Sequence, residues 1–203
     1  METDNLRVPP PGEDSGFERQ LPAMGEHQAV CCQIHNLGHQ EYQGQASLSP
    51  KCVVIFELEQ KMSGGKMEGK PFVISEEFPM YLSKDSKLRT FLGNWRSTPT
   101  APRPMTDEEC KDFTLRKVLN IPATLIIVHK TKGDRTYANI AGIAPAKAGA
   151  PRVAVSFTET PKWVADKQAK QCRPPERQKS APKPATVSPL PITDPNHPDF
   201  LPF

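Results

Sequence analysis

The stretch VHKTKGDRTYANI, residues 128–140, brings together side chains suited to a polyanion: His129, Lys130, Lys132, Arg135 and Tyr137. Closely spaced cations neutralise successive phosphates and release their counterions. A tyrosine ring between them gives a base a face on which to stack, and the combination holds a single strand without reading its sequence. Lys84, Lys87, Arg89, Arg96 and Arg103 form a second basic group around Trp95, and Lys61, Lys66 and Lys70 a third around three glycines. On this pattern Lys87, Lys130, Lys132 and Arg135 are assigned to phosphates, and Tyr137 and Trp95 to bases. Phe56, Phe91 and Trp95 also fall on apolar faces, where a core role competes with stacking.

Catalytic chemistry leaves no comparable pattern. The sequence has no GxGxxG, GxxxxGK[ST], HExxH, CxxC or GxSxG, the spacings that cradle phosphates, hold zinc or expose a nucleophile. His35 and His39 are four residues apart, but Asn36-Leu37-Gly38 between them breaks a helix, so no metal site is expected. Glu76-Glu77 and Asp107-Glu108-Glu109 read as surface clusters flanking a strand and capping a turn. The five cysteines lack metal-ligand spacing and read as reduced thiols of a cytosolic protein. Cys31 and Cys32 are adjacent and point to opposite faces of a strand. The expectation is a protein with no catalytic residue, no cofactor and no metal. A nuclease with a scattered acidic site is the remaining enzymatic reading.

The elements that must position these residues show in the hydrophobic period. AVCCQIHNLG (29–38) is a first strand, and HQEYQGQASLSP (39–50) a polar loop. KCVVIFELEQ (51–60) is a strand in which Phe56 and Leu58 alternate with Glu57 and Glu59. Gly64-Gly65 and Gly69 make 61–70 a turn. PFVISEEFPMYLS (71–83) is a third strand, with Pro79 marking an edge or a bulge. Within 83–97, Leu88, Phe91, Leu92 and Trp95 recur at i, i+3, i+4 and i+7, one face of a helix opened by Ser83 or Asp85. Thr106 and Glu109 fit a capping box, and 114–120 is a brief link. ATLIIVHKT (123–131) and TYANIAGIAP (136–145) are strands joined by a tight turn. PRVAVSF (151–157) is a possible further strand, and 160–172 a short helix.

The order is strand, strand, strand, helix, strand, strand. It predicts a mainly β fold, the five-stranded OB barrel with one helix between its third and fourth strands; a five-stranded α+β sheet with one helix is the competing architecture. Prolines, 23 of 203 residues, crowd into 8–22, 99–104 and 174–202. The expected organisation is a disordered leader over 1–26, the DNA-binding domain over 27–158, a short helix or linker over 159–172 and a disordered Pro-rich tail over 173–203. No signal peptide or membrane span is expected. The net charge of +3 permits a nucleic-acid partner without requiring one.

The sequence ends in DPNHPDFLPF. Asp199-Phe200-Leu201-Pro202-Phe203 resembles the acidic tip of bacterial single-stranded-DNA-binding proteins, which ends in aspartates followed by Ile-Pro-Phe. Here Leu201 stands where Ile is usual, and the acids are fewer. The middle, KPFVISEEFPMYLSKDSKLRTFLGNWR and LRKVLNIPATLIIVHKTKGDRTYANIAGIAP, is similar to small phage single-stranded-DNA binders encoded among replication and recombination genes. The resemblance implies an OB domain that holds single-stranded DNA, and a tip, Asp199 to Phe203, that recruits replication or recombination proteins in the cytoplasm of a bacterial host. A homo-oligomer is compatible with it. The alternative is a phage adaptor or host-takeover inhibitor that uses the same domain and tail for protein contacts alone.

Overall fold

A computed structural model describes residues 20–150 and 152–175. In chain order these form β1 (Gly25–Gly38), β2 (Glu41–Tyr42), β3 (Gln45–Ala46), β4 (Lys51–Lys61), β5 (Pro71–Pro79), α1 (Lys87–Trp95), α2 (Asp107–Lys111), β6 (Pro122–Lys132), β7 (Arg135–Pro145) and α3 (Lys162–Ala169). The five long strands make one antiparallel sheet in the order β5-β4-β1-β6-β7; β2 and β3 are a small separate hairpin.

β1 organises the sheet. It pairs with β6 over Gly25–Val30 and with β4 over Ala29–Gly38. The register slips between Cys31 and Gln33, so Cys32 is an extra residue, and such a bulge bends a strand and increases its twist. As neighbours along a strand, the two cysteines still face opposite sides of the sheet. Cys31 joins the main core with Val54, Phe56, Leu58, Leu125 and Ile127, while Cys32 joins a smaller cluster with Leu37, Val53, Ile55 and Val164. Burial pushes the Cys31 and Cys32 thiols up to about 12, and Cys52 to about 11. At neutral pH all three therefore stay protonated.

α1 closes one side of the main core. Leu88, Phe91, Leu92 and Trp95 are buried on one face of the helix, as the period predicts. The Phe91 ring lies 4.7 Å from that of Phe78 on β5, and the Trp95 ring 5.3 Å from that of Phe56 on β4. The N-cap is Ser86, whose hydroxyl accepts from the Arg89 amide at 3.2 Å. Neither Ser83 nor Asp85 takes that place, because the helix starts at Lys87, directly after Ser86. The Thr106–Glu109 capping box opens α2 as expected.

Two other expectations are corrected, and a third is shown only in its coarser form. β1 begins at Gly25, inside the segment read as leader. Residues 152–157 form no strand; Ser156 and Phe157 instead bond the Glu57 side chain on β4. The third is the barrel, of which the structure shows the five-stranded antiparallel sheet without a closing ladder. β5 and β7 are the two edges, and their Cα atoms come within 8 Å of one another, yet no ladder joins them. What the structure shows is a mainly β fold built on a five-stranded antiparallel sheet, with α1 packed against both edges at one end. Pro79 does mark an edge strand, where its missing N–H costs no ladder bond.

The second face of the sheet is covered by the chain itself. Glu57 alternates with Phe56 and Leu58 and so lies on the opposite face of the sheet, yet it is 2% exposed. Its carboxylate accepts from the Ser156 amide at 2.9 Å, the Ser156 hydroxyl at 2.7 Å and the Phe157 amide at 2.8 Å. Gln33 donates to the Phe157 and Glu159 carbonyls. Further along, Val164 of α3 is buried on the same face, Lys167 pairs with Glu77, and the Cys172 amide donates to the His39 carbonyl. The segment 156–172 is therefore a strap over β1, β4 and β5, with the buried carboxylate supplied with three donors.

Candidate nucleic-acid interface

The β6–β7 hairpin turns on Gly133-Asp134. Gly133 has φ 59°, the positive value that a two-residue hairpin loop requires at its first position, and glycine reaches it without a Cβ clash. The register then pairs Lys132 with Arg135 and Lys130 with Tyr137. Residues opposite one another in a ladder share a face, as do residues two apart along a strand. Lys130, Lys132, Arg135 and Tyr137 thus lie on one face. It is the face opposite Leu125, Ile127 and Ile143, which enter the core.

Lys130, Lys132 and Arg135 are exposed, and Tyr137 is half-buried. None of the three cations takes part in any ion pair among the described residues. Asp134 at the turn is the nearest acid in sequence. His129, on the other face, bonds the Pro22 carbonyl at 2.8 Å and ties the hairpin to the start of the described chain. It belongs to the scaffold rather than to the basic face.

The other assigned residues lie elsewhere. Trp95 is 5% exposed and its indole N–H donates to the Pro122 carbonyl at 3.0 Å. Both ring faces lie in the core among Phe56 and Phe91, so it presents no surface to a base. Lys87 is exposed but pairs with Glu76 on β5 and lies 5.4 Å above the Phe78 ring. Lys84 lies 3.8 Å from Asp107, and Arg89 and Arg96 are engaged in the same way, whereas Arg103 forms no ion pair among the described residues. Arg89 bonds Asp107 at 2.7 Å, and Arg96 bonds Glu109 through both guanidinium nitrogens, at 2.8 and 2.5 Å. The Arg96 hydrogen bond holds the Glu109 carboxyl down at about 2, and Arg89 lowers that of Asp107. Asp199, Phe200, Leu201, Pro202 and Phe203 lie outside the described residues.

The sequence reading did not find the groove beside the hairpin. It occupies about 730 Å³ and runs along β5 from Pro71 to Ser75, with Ala138 of β7 opposite. Met62, Met67 and Lys70 line it from the loop before β5, Gln20 to Pro22 from the start of the described chain, and Ser156 to Glu159 from the strap. The glycines that made 61–70 a turn were its one local signal.

Among the described residues no group of three or more His, Cys, Asp or Glu is arranged to hold a metal ion, and no helix is long and apolar enough to cross a membrane. His35 bonds the Gln33 side chain at 2.9 Å and His39 the Ser47 carbonyl at 2.7 Å. No protein-family model matches the chain, and no curated protein matches it at a significant level.

Proposed function

We propose that this protein binds single-stranded DNA without sequence readout, through the face of the β6–β7 hairpin that carries Lys130, Lys132, Arg135 and Tyr137. One observation supports this above the others: the three cations and the ring share a face, and among the described residues no acid pairs with the cations. Unpaired exposed cations gain most from a polyanion, because counterion release is not offset by the loss of an internal ion pair. Tyr137 supplies ring area beside them. The approach of the two sheet edges and the helix set between β5 and β6 are compatible with an OB-type architecture. The resemblance to phage replication and recombination proteins suggests the setting, with Asp199 to Phe203 as the segment that recruits partner proteins in a bacterial cytoplasm.

Titration of fluorescent oligo-dT across a salt series tests the reading. Three phosphate contacts give a slope of log K against log salt of about −2, with single strands preferred over duplex. A salt-independent affinity, or no preference for single strands, overturns it. No binding of any oligonucleotide would leave the protein-adaptor reading in its place.

A further inference from the structure

The groove between β5 and β7 has two walls of unusual kind. β5 is hydrogen-bonded to β4 alone and β7 to β6 alone. In an antiparallel pair, alternate residues turn both N–H and C=O away from the partner strand. Among the described residues no hydrogen bond outside the β4–β5 ladder reaches the backbone of 71–78. The groove is therefore edged by backbone donors and acceptors that no other strand takes up. Met62, Met67 and Phe72 line it, Phe72 being largely buried in the main core. Its volume falls within the roughly 300–1,000 Å³ of small-molecule sites.

We infer that this groove receives the bases of the DNA strand whose phosphates lie on the hairpin. The inference rests on the DNA-binding reading above. Three features favour bases over an extended peptide, the other occupant that a free strand edge accepts. Ala138, which lines the groove, directly follows Tyr137 in β7, so a strand stacked on Tyr137 reaches the groove by crossing one strand edge. Lys70 lines it and Lys66 lies on the same loop; neither forms an ion pair among the described residues. Methionine sulfur packs favourably against aromatic rings. Glu159 lines the strap side and Glu68 lies on the loop. The Glu159 carboxylate repels phosphate, which keeps the backbone of the strand on the Lys70 side and turns the bases inward. β5 amides and carbonyls then face base edges, the readout that splayed single strands offer.

The test compares oligo-dT of about 15 nucleotides with an abasic oligonucleotide of the same length and charge, using the full chain. Oligo-dT is expected to bind about tenfold more tightly or better. Met67→Ala is expected to reduce that advantage severalfold while leaving abasic binding unchanged. In the oligo-dT complex, amide exchange is expected to slow across 71–75. Equal affinity for the two oligonucleotides overturns the inference. So does a Met67→Ala variant that matches the parent while β5 amides stay unprotected, an outcome that leaves the groove to a peptide strand. Lys130→Ala/Lys132→Ala/Arg135→Ala separates the two levels. If it abolishes binding while Met67→Ala has no effect, the hairpin reading stands and the groove inference falls. If the parent binds neither oligonucleotide, both fall.

Discussion

Two regions of this molecule carry nearly the same cationic side chains and have opposite electrostatic fates. Around α1 and α2, Lys87, Arg89, Arg96 and Lys111 each meet a carboxylate: Glu76, Asp107, Glu109 and Glu108. On the β6–β7 hairpin, Lys130, Lys132 and Arg135 meet none among the described residues. The first set fastens the loop 97–105 and α2 to α1; Arg96 also donates to the Arg103 and Pro104 carbonyls, and Arg89 to that of Met105. To bind phosphate, those groups must first give up internal partners. Counting basic residues treats the regions as equals, whereas pairing separates them.

The largest expected effect is on the unpaired side. Lys130→Ala/Lys132→Ala/Arg135→Ala removes three phosphate contacts. Each is worth about fivefold at 0.1 M salt, so oligo-dT affinity falls about a hundredfold and the salt slope flattens by about 2. A matched substitution on the paired side, Lys87→Ala, is expected to leave both nearly unchanged. A large loss there would erase the distinction between the regions. Tyr137→Ala comes next, with a loss of about 1–3 kcal/mol that persists at high salt, since stacking is not screened; titration at two salt concentrations separates it from the lysines.

Trp95 sharpens the contrast in stability. Trp95→Ala is expected to destabilise the fold by about 3–5 kcal/mol in chemical denaturation, while the folded fraction keeps its oligo-dT affinity. A selective loss of binding at unchanged stability would return Trp95 to the interface.

The smallest effect is pH-dependent. Glu109 has its folded-state value depressed from 4.5 to about 2 by Arg96. A depressed carboxyl contributes stability that is fully present above its unfolded value and disappears as pH falls through its folded value. Arg96→Ala should therefore lower Tm slightly at pH 7. The difference from the parent should shrink between about pH 4.5 and pH 2. A Tm difference independent of pH would mean that Arg96 acts through its carbonyl bonds alone.

Thiol labelling gives an independent check on the sheet. Cys31, Cys32 and Cys52 are buried and protonated. At neutral pH a thiol reagent should reach only Cys110 and Cys172 before unfolding. Because the Cys172 thiol bonds the His39 carbonyl at 3.2 Å, its rate also reports on release of the strap.

Much of the scaffold was legible in the sequence because local rules govern it. Alternation marked β4, the i, i+3, i+4, i+7 recurrence marked α1, and Thr106 with Glu109 marked α2. Lys132-Gly133-Asp134-Arg135 marked the turn that now sets Lys130 opposite Tyr137. Glu57 shows where such rules stop. Its alternation correctly placed it on the face opposite Phe56 and Leu58, but nothing local indicated that Ser156 and Phe157, about a hundred positions later, would cover that face.

By itself, then, the sequence determined the periods, the caps, the turn and the inventory of charges, each fixed by residues within a few positions of one another. Tertiary structure alone decided which charges remain unpaired, which face of the sheet is covered, and that β5 and β7 approach without joining. The physical reason is range. Lys87 finds Glu76 across 11 positions, Arg96 finds Glu109 across 13 and Arg89 finds Asp107 across 18. Pairings at those separations exist only once strands and helix have packed.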